Sequence, residues 1–61
     1  MLKFKAIFYY RENEEYRIME EVRDTERACE NWLNAQKEYC EKNNIYVICG
    51  YIERIEAKKF F

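Results

Sequence analysis

Residues 2–11 alternate with a period of two. Leu2, Phe4, Ala6, Phe8 and Tyr10 fall on one side, and Lys3, Lys5, Ile7, Tyr9 and Arg11 on the other. That alternation, built from Phe, Ile and Tyr, predicts a first strand over 2–11. Glu12-Asn13-Glu14 interrupts it, and Asn13 suits a hairpin tip because Asn tolerates left-handed backbone. A second strand over 15–23 sets Tyr16, Ile18 and Val22 against Arg17, Met19, Glu21 and Arg23. Glu20 falls on its apolar parity, which predicts a sheet edge where that carboxylate reaches water and where charge opposes edge-to-edge aggregation.

After Asp24-Thr25 the period lengthens to three and four. Either side chain can accept from the orphan N–H groups of a helix start, and Glu26 suits the positive end of the helix dipole. Ala28, Trp32, Leu33, Ala35, Gln36, Tyr39 and Cys40, with Cys29, form the apolar stripe of a helix running to about Lys42. Glu26, Glu30, Asn34, Lys37, Glu38 and Glu41 fill its outer side. Asn43-Asn44 then stops it, since Asn accepts the left-handed cap position when Gly is absent. A third strand starts at Ile45 and is apolar on both parities through Ile52, with Gly50 a candidate bulge or bend. Residues 55–61 fit a strand extension, a short fourth strand or a tail ending in Phe60-Phe61.

The order ββαβ in a single α+β domain over 1–61 leaves few topologies. The first two strands form a hairpin, and the helix returns the chain so that the third strand runs antiparallel to the first. The expected sheet order is 2-1-3, with one helix packed on one face. In the expected register Leu2, Phe4, Phe8, Ile18, Val22, Val47 and Cys49 meet the helix stripe. Lys3, Lys5, Ile7, Tyr9, Arg11, Arg17, Met19, Arg23, Tyr46, Ile48, Ile52 and Arg54 make up the other face. One helix covers only one face, so the second must meet water, a second copy or a partner.

Composition sharpens this picture. A chain of 61 residues buries a thin core, and six Tyr, four Phe and one Trp compensate with large apolar blocks. There is no Pro and one Gly, which leaves little loop in which to build a catalytic site. No His is present to serve as a base near neutral pH, and no Gly-rich phosphate loop or metal-ligand cluster occurs, so no cofactor is expected and the chain reads as non-enzymatic. Cys29, Cys40 and Cys49 are odd in number and unpaired in spacing, and read as small buried hydrophobes rather than a disulfide framework or zinc site. A Cys40–Cys49 bond is geometrically conceivable but disfavoured in a reducing compartment. No apolar run spans a bilayer and no signal peptide is visible, which predicts a cytoplasmic protein without membrane contact.

The net charge of −1 hides segregation. Lys3, Lys5 and Arg11 occupy 1–11 without an acid, whereas Glu12, Glu14, Glu15, Glu20 and Glu21 crowd the hairpin, with Asp24, Glu26 and Glu30 beyond. Three readings of the uncovered face follow. Phe60-Phe61 folds back over it, or its Tyr and Arg stems simply tolerate water. It is a protein interface, with Ile7, Tyr9, Arg11, Met19, Tyr46 and Ile48 contacting a foreign protein or the second copy of a homodimer. Or it binds single-stranded nucleic acid, with Tyr9 and Tyr46 stacking bases and Lys3, Lys5, Arg11, Arg17 and Arg54 on phosphates, a reading that the slightly acidic chain weakens. The acidic hairpin offers a second contact surface toward a basic groove.

In size, in a composition rich in Lys, Glu, Ile, Asn and Tyr, and in expected architecture, the chain resembles small accessory proteins of phages and mobile elements, among them anti-CRISPR proteins. No shared motif carries the resemblance. It implies an inhibitor in the bacterial host cytoplasm that occludes a host defence or nucleic-acid-handling protein, by the hairpin or the open sheet face.

Overall fold

A two-residue turn governs the sheet. In the computed structural model, which describes residues 2–56, β1 (Leu2–Glu12) and β2 (Glu15–Arg23) are joined by Asn13 and Glu14, both with positive φ (51° and 65°). Two successive left-handed residues give the twist that matches a tight hairpin. Glu12 therefore pairs with Glu15, and every even residue of β1 pairs with an odd residue of β2: Phe8 with Met19, Ala6 with Glu21, Phe4 with Arg23. A three-residue Glu12-Asn13-Glu14 loop, as the sequence suggested, pairs even with even. The shorter turn shifts the register by one and reverses the faces of β2.

The helix α1 (Glu26–Lys42) begins where the capping pattern predicts. Thr25 is the N-cap: its backbone is extended and its hydroxyl accepts from the Ala28 N–H at 3.1 Å. At the other end Asn43 closes the last turn, its side-chain Nδ2 donating to the Tyr39 carbonyl at 2.8 Å. Asn44 follows in the left-handed region (φ 55°) and turns the chain into β3 (Tyr46–Glu56). The third strand thus extends to Glu56, whereas the Phe60-Phe61 tail lies outside the described residues.

All neighbouring strands are antiparallel and the order is β2-β1-β3, with α1 on one face. Cα positions span only 11 Å across the thinnest dimension, which is one helix layer on one sheet layer. Ala6, Phe8, Cys29, Leu33 and Cys40 form the buried centre between them, with Phe4, Met19, Trp32, Val47 and Ile52 packed around it. Gly50 lies opposite Phe8 under the helix; a Cβ there would stand 3.3 Å from Leu33 Cδ2 and 3.4 Å from Phe8 Cδ1. Its role is close approach of helix to sheet. The irregularity in β3 lies two residues earlier, where Tyr9 pairs with Cys49 but Tyr10 with Val47, and Ile48 is left without a partner.

That bulge changes which parity of β3 faces the helix. Before it, Val47 is inside and Tyr46 outside, as expected. Beyond it, Gly50, Ile52 and Arg54 share the helix side with Phe8, Ala6 and Phe4, and Cys49, Tyr51, Glu53 and Ile55 share the open side with Tyr9, Ile7, Lys5 and Lys3. Five residues assigned to the open face by alternation alone (Arg17, Met19, Arg23, Ile52 and Arg54) therefore belong to the helix side. Ile18, Val22 and Cys49 move the other way.

Candidate functional site: the open sheet face

The uncovered face is built in rows across the three strands. Moving along β1, Arg11 lies between Tyr16 and Tyr46, Tyr9 between Ile18 and Cys49, and Ile7 between Glu20 and Tyr51. Lys5 lies between Val22 and Glu53, and Lys3 beside Ile55. The hairpin end of the face is thus aromatic and aliphatic, and the opposite end carries both signs of charge.

Five of its large apolar side chains stand in solvent: Tyr16 at 76% exposure, Tyr46 at 68%, Ile18 at 49%, Val22 at 47% and Tyr51 at 42%. At their centre Ile7 is only 4% exposed, although no second layer lies over it among the described residues. Tyr51 is its direct partner on β3 and Tyr9 lies two residues along β1, and these two rings stack diagonally with centroids 6.4 Å apart and planes at 19°. Partial burial first, and the neighbouring Tyr9 hydroxyl second, push the Tyr51 phenol above its ordinary value. The face therefore holds a preassembled aromatic pair over an aliphatic floor.

Its charges are largely spoken for. Lys3 Nζ lies 3.0 Å from Asp24 Oδ1, and Lys5 Nζ 3.4 Å from Glu20 Oε2. Arg17 contacts Glu15 at 3.0 Å and Glu12 at 3.9 Å, and Arg23 pairs with Glu21, all on the helix side of the sheet. Such exposed pairs add little stability, but they cancel the field that a polyanion would sense. Of the cations expected to hold phosphates, Arg17 and Arg54 lie on the wrong side and Lys3 and Lys5 are paired. Arg11 and Arg54 lack a carboxylate partner among the described residues, and of these two Arg11 alone lies on the open face.

Of the residues expected at a partner surface, Ile7, Tyr9, Arg11 and Tyr46 come together on the open face. Met19 does not: it packs against the core beside Phe8. Ile48 is exposed, but at the bulge, outside the row pattern. Tyr16, Ile18, Val22 and Tyr51 belong to the site and were missed there, because turn length and bulge decide their side and neither is written in the alternation. The acidic hairpin does not gather into one surface. Glu20 lies on the open side and Glu21 on the helix side with Glu12 and Glu15, while Glu14 occupies the turn.

On the helix side, a shallow cleft of about 230 Å³ opens between Tyr10, Met19, Tyr39 and Cys40, with Glu12 at its edge. Tyr39, expected in the buried stripe, is exposed at this cleft. Cys40 is buried, and burial first, with the Glu12 carboxylate second, raises its thiol above the ordinary value of 9.0. All three cysteines are free, and Cys49 points to the opposite side of the sheet from Cys40, so no bond joins them. No helix among the described residues is long and apolar enough to cross a membrane.

Comparisons with protein-family models, with curated proteins and with solved structures returned no match for this chain.

Proposed function

We propose that this is a non-enzymatic binding protein that engages another protein through the open sheet face. The observation that supports this reading is the concentration of Tyr16, Ile18, Val22, Tyr46 and Tyr51 on one exposed face around Ile7 and the Tyr9–Tyr51 pair. Tyrosines over an aliphatic floor, with arginine nearby, have the composition of a recognition patch. The same face argues against nucleic acid as the ligand. It has ring platforms, but its lysines are ion-paired and two of its expected arginines lie on the other side. Inhibition by occlusion follows as the mode of action if the bound surface is a partner's working surface.

The test compares the wild type with a Tyr16→Lys/Tyr46→Lys variant. Both positions are well exposed, so the fold should survive. Capture by the tagged chain from a bacterial lysate that also contains the untagged chain should yield a protein, foreign or a second copy, that persists after nuclease treatment and is lost with the variant. Labelled single-stranded DNA and RNA, titrated in parallel, should bind neither. Tight oligonucleotide binding that weakens steeply with salt and depends on Tyr16 or Tyr46 overturns the reading.

A further inference from the structure

We infer that the partner of the open face is a second copy of this chain, packed sheet against sheet about a two-fold axis. The inference rests on the protein-contact reading above and names its occupant. Area is the first argument. The five exposed side chains on this face leave on the order of 600 Å² of mostly apolar surface, at the top of the range for the largest patch on a stable monomer. With Tyr9, Cys49 and the aliphatic stems of the lysines around them, the face approaches the roughly 800 Å² that each partner contributes to a standard interface.

Charge is the second. A foreign partner chosen by electrostatics would meet uncompensated charge, but here Lys3 and Lys5 are already neutralised by Asp24 and Glu20. A face that balances its own charge can be laid on a copy of itself without net repulsion. Its layout also selects the symmetry. A two-fold axis along β1 lays β2 over the copy's β3, so the tyrosine end meets the tyrosine end. An axis across the strands would press that end onto Lys3, Lys5 and Glu53. Arg11 is exposed and sits at the hairpin end, so its guanidinium reaches water at the rim. Two twisted sheets stacked this way cross at about 30° and share an inner layer.

The molecule is also thin, 11 Å across its shortest dimension. Among the described residues only Ala6, Ile7, Phe8, Cys29, Leu33 and Cys40 are buried, and Ile7 belongs to the open side. A chain this short commonly completes its core by association. The copy would cover the exposed Tyr16, Ile18, Val22, Tyr46 and Tyr51 that surround Ile7.

Sedimentation velocity and thermal unfolding of the full chain, from about 1 µM to about 500 µM, test this directly. The wild type should shift from monomer to dimer across that range, and its Tm should climb with concentration. Ile18→Lys places a desolvated ammonium in the interface and should weaken dimerisation by at least about a hundredfold. Tyr39→Lys, on the exposed helix side, should leave it unchanged. A wild type that stays monomeric at every concentration overturns the inference. If that monomer still captures a nuclease-resistant protein through Tyr16 and Tyr46, the protein-contact reading stands with a foreign occupant; if it captures none, both fall. A dimer equally stable in Ile18→Lys and Tyr46→Lys also overturns it, because the copies would then meet elsewhere.

Discussion

At Glu14 the chain pays a conformational penalty that its own sequence could remove. Two-residue turns with both central φ angles positive favour Asn-Gly, and here the second place is held by a residue with a Cβ at φ 65°. Glu14→Gly should therefore stabilise the fold by about 0.5–1 kcal/mol, read as a higher denaturation midpoint with unchanged slope. The cysteines allow a second residue-level test. Cys49 is exposed and should react with a thiol reagent in the native state, whereas Cys29 and Cys40 should react only on unfolding. Cys40 also carries a pH dependence. Its folded pKa lies above the unfolded value, so the stability tied to its neutral thiol is complete below that unfolded value. It is lost as pH rises through the folded one. Unfolding midpoints should fall above about pH 9 in the wild type, and less so in Cys40→Ala when each is referred to its own neutral-pH stability.

The elements themselves were legible in the sequence, and their faces only partly so. Alternation in 2–11, the Thr25 cap and the Asn43-Asn44 stop each act locally and are found where those residues predict them, and the helix stripe is found except at Ala35 and Tyr39, which are exposed. Which side of a strand meets the helix is a non-local property. In β2 it depends on whether two or three residues turn the corner, and Glu12-Asn13-Glu14 permits both. The apolar parity of β2 pointed inward by composition, yet the turn sends Tyr16, Ile18 and Val22 outward and brings Met19 under the helix. Composition could not settle this, because Arg17, Glu21 and Arg23 reach water from the flank of a three-stranded sheet and are paired there, Arg17 with Glu12 and Glu15 and Arg23 with Glu21. In β3 the bulge does the same, unannounced by any Gly or Pro at position 48. The open face was foreseen as a surface, and half of its side chains were not.

As a whole, the molecule is a slab with one finished side. The helix side carries the core, the close approach at Gly50 and most of the arginine–carboxylate pairs; the other side carries tyrosines. A domain of this length has a total stability of only about 3–9 kcal/mol, so whatever covers that second side contributes a large share of what keeps it folded. The bulge gives the slab an unusual tolerance. Ile48 is the residue the ladder skips, so removing it leaves Cys49 opposite Tyr9 and Val47 opposite Tyr10 in an unbroken frame. Deleting a residue from the middle of a strand ordinarily inverts everything beyond the cut. Here Ile48 deletion should keep a cooperative melt and both surfaces, while deletion of Tyr51, three residues on, should abolish folding. Position 48 is thus a spare letter: the one place in β3 where the chain can be shortened without scrambling what either side of the slab presents.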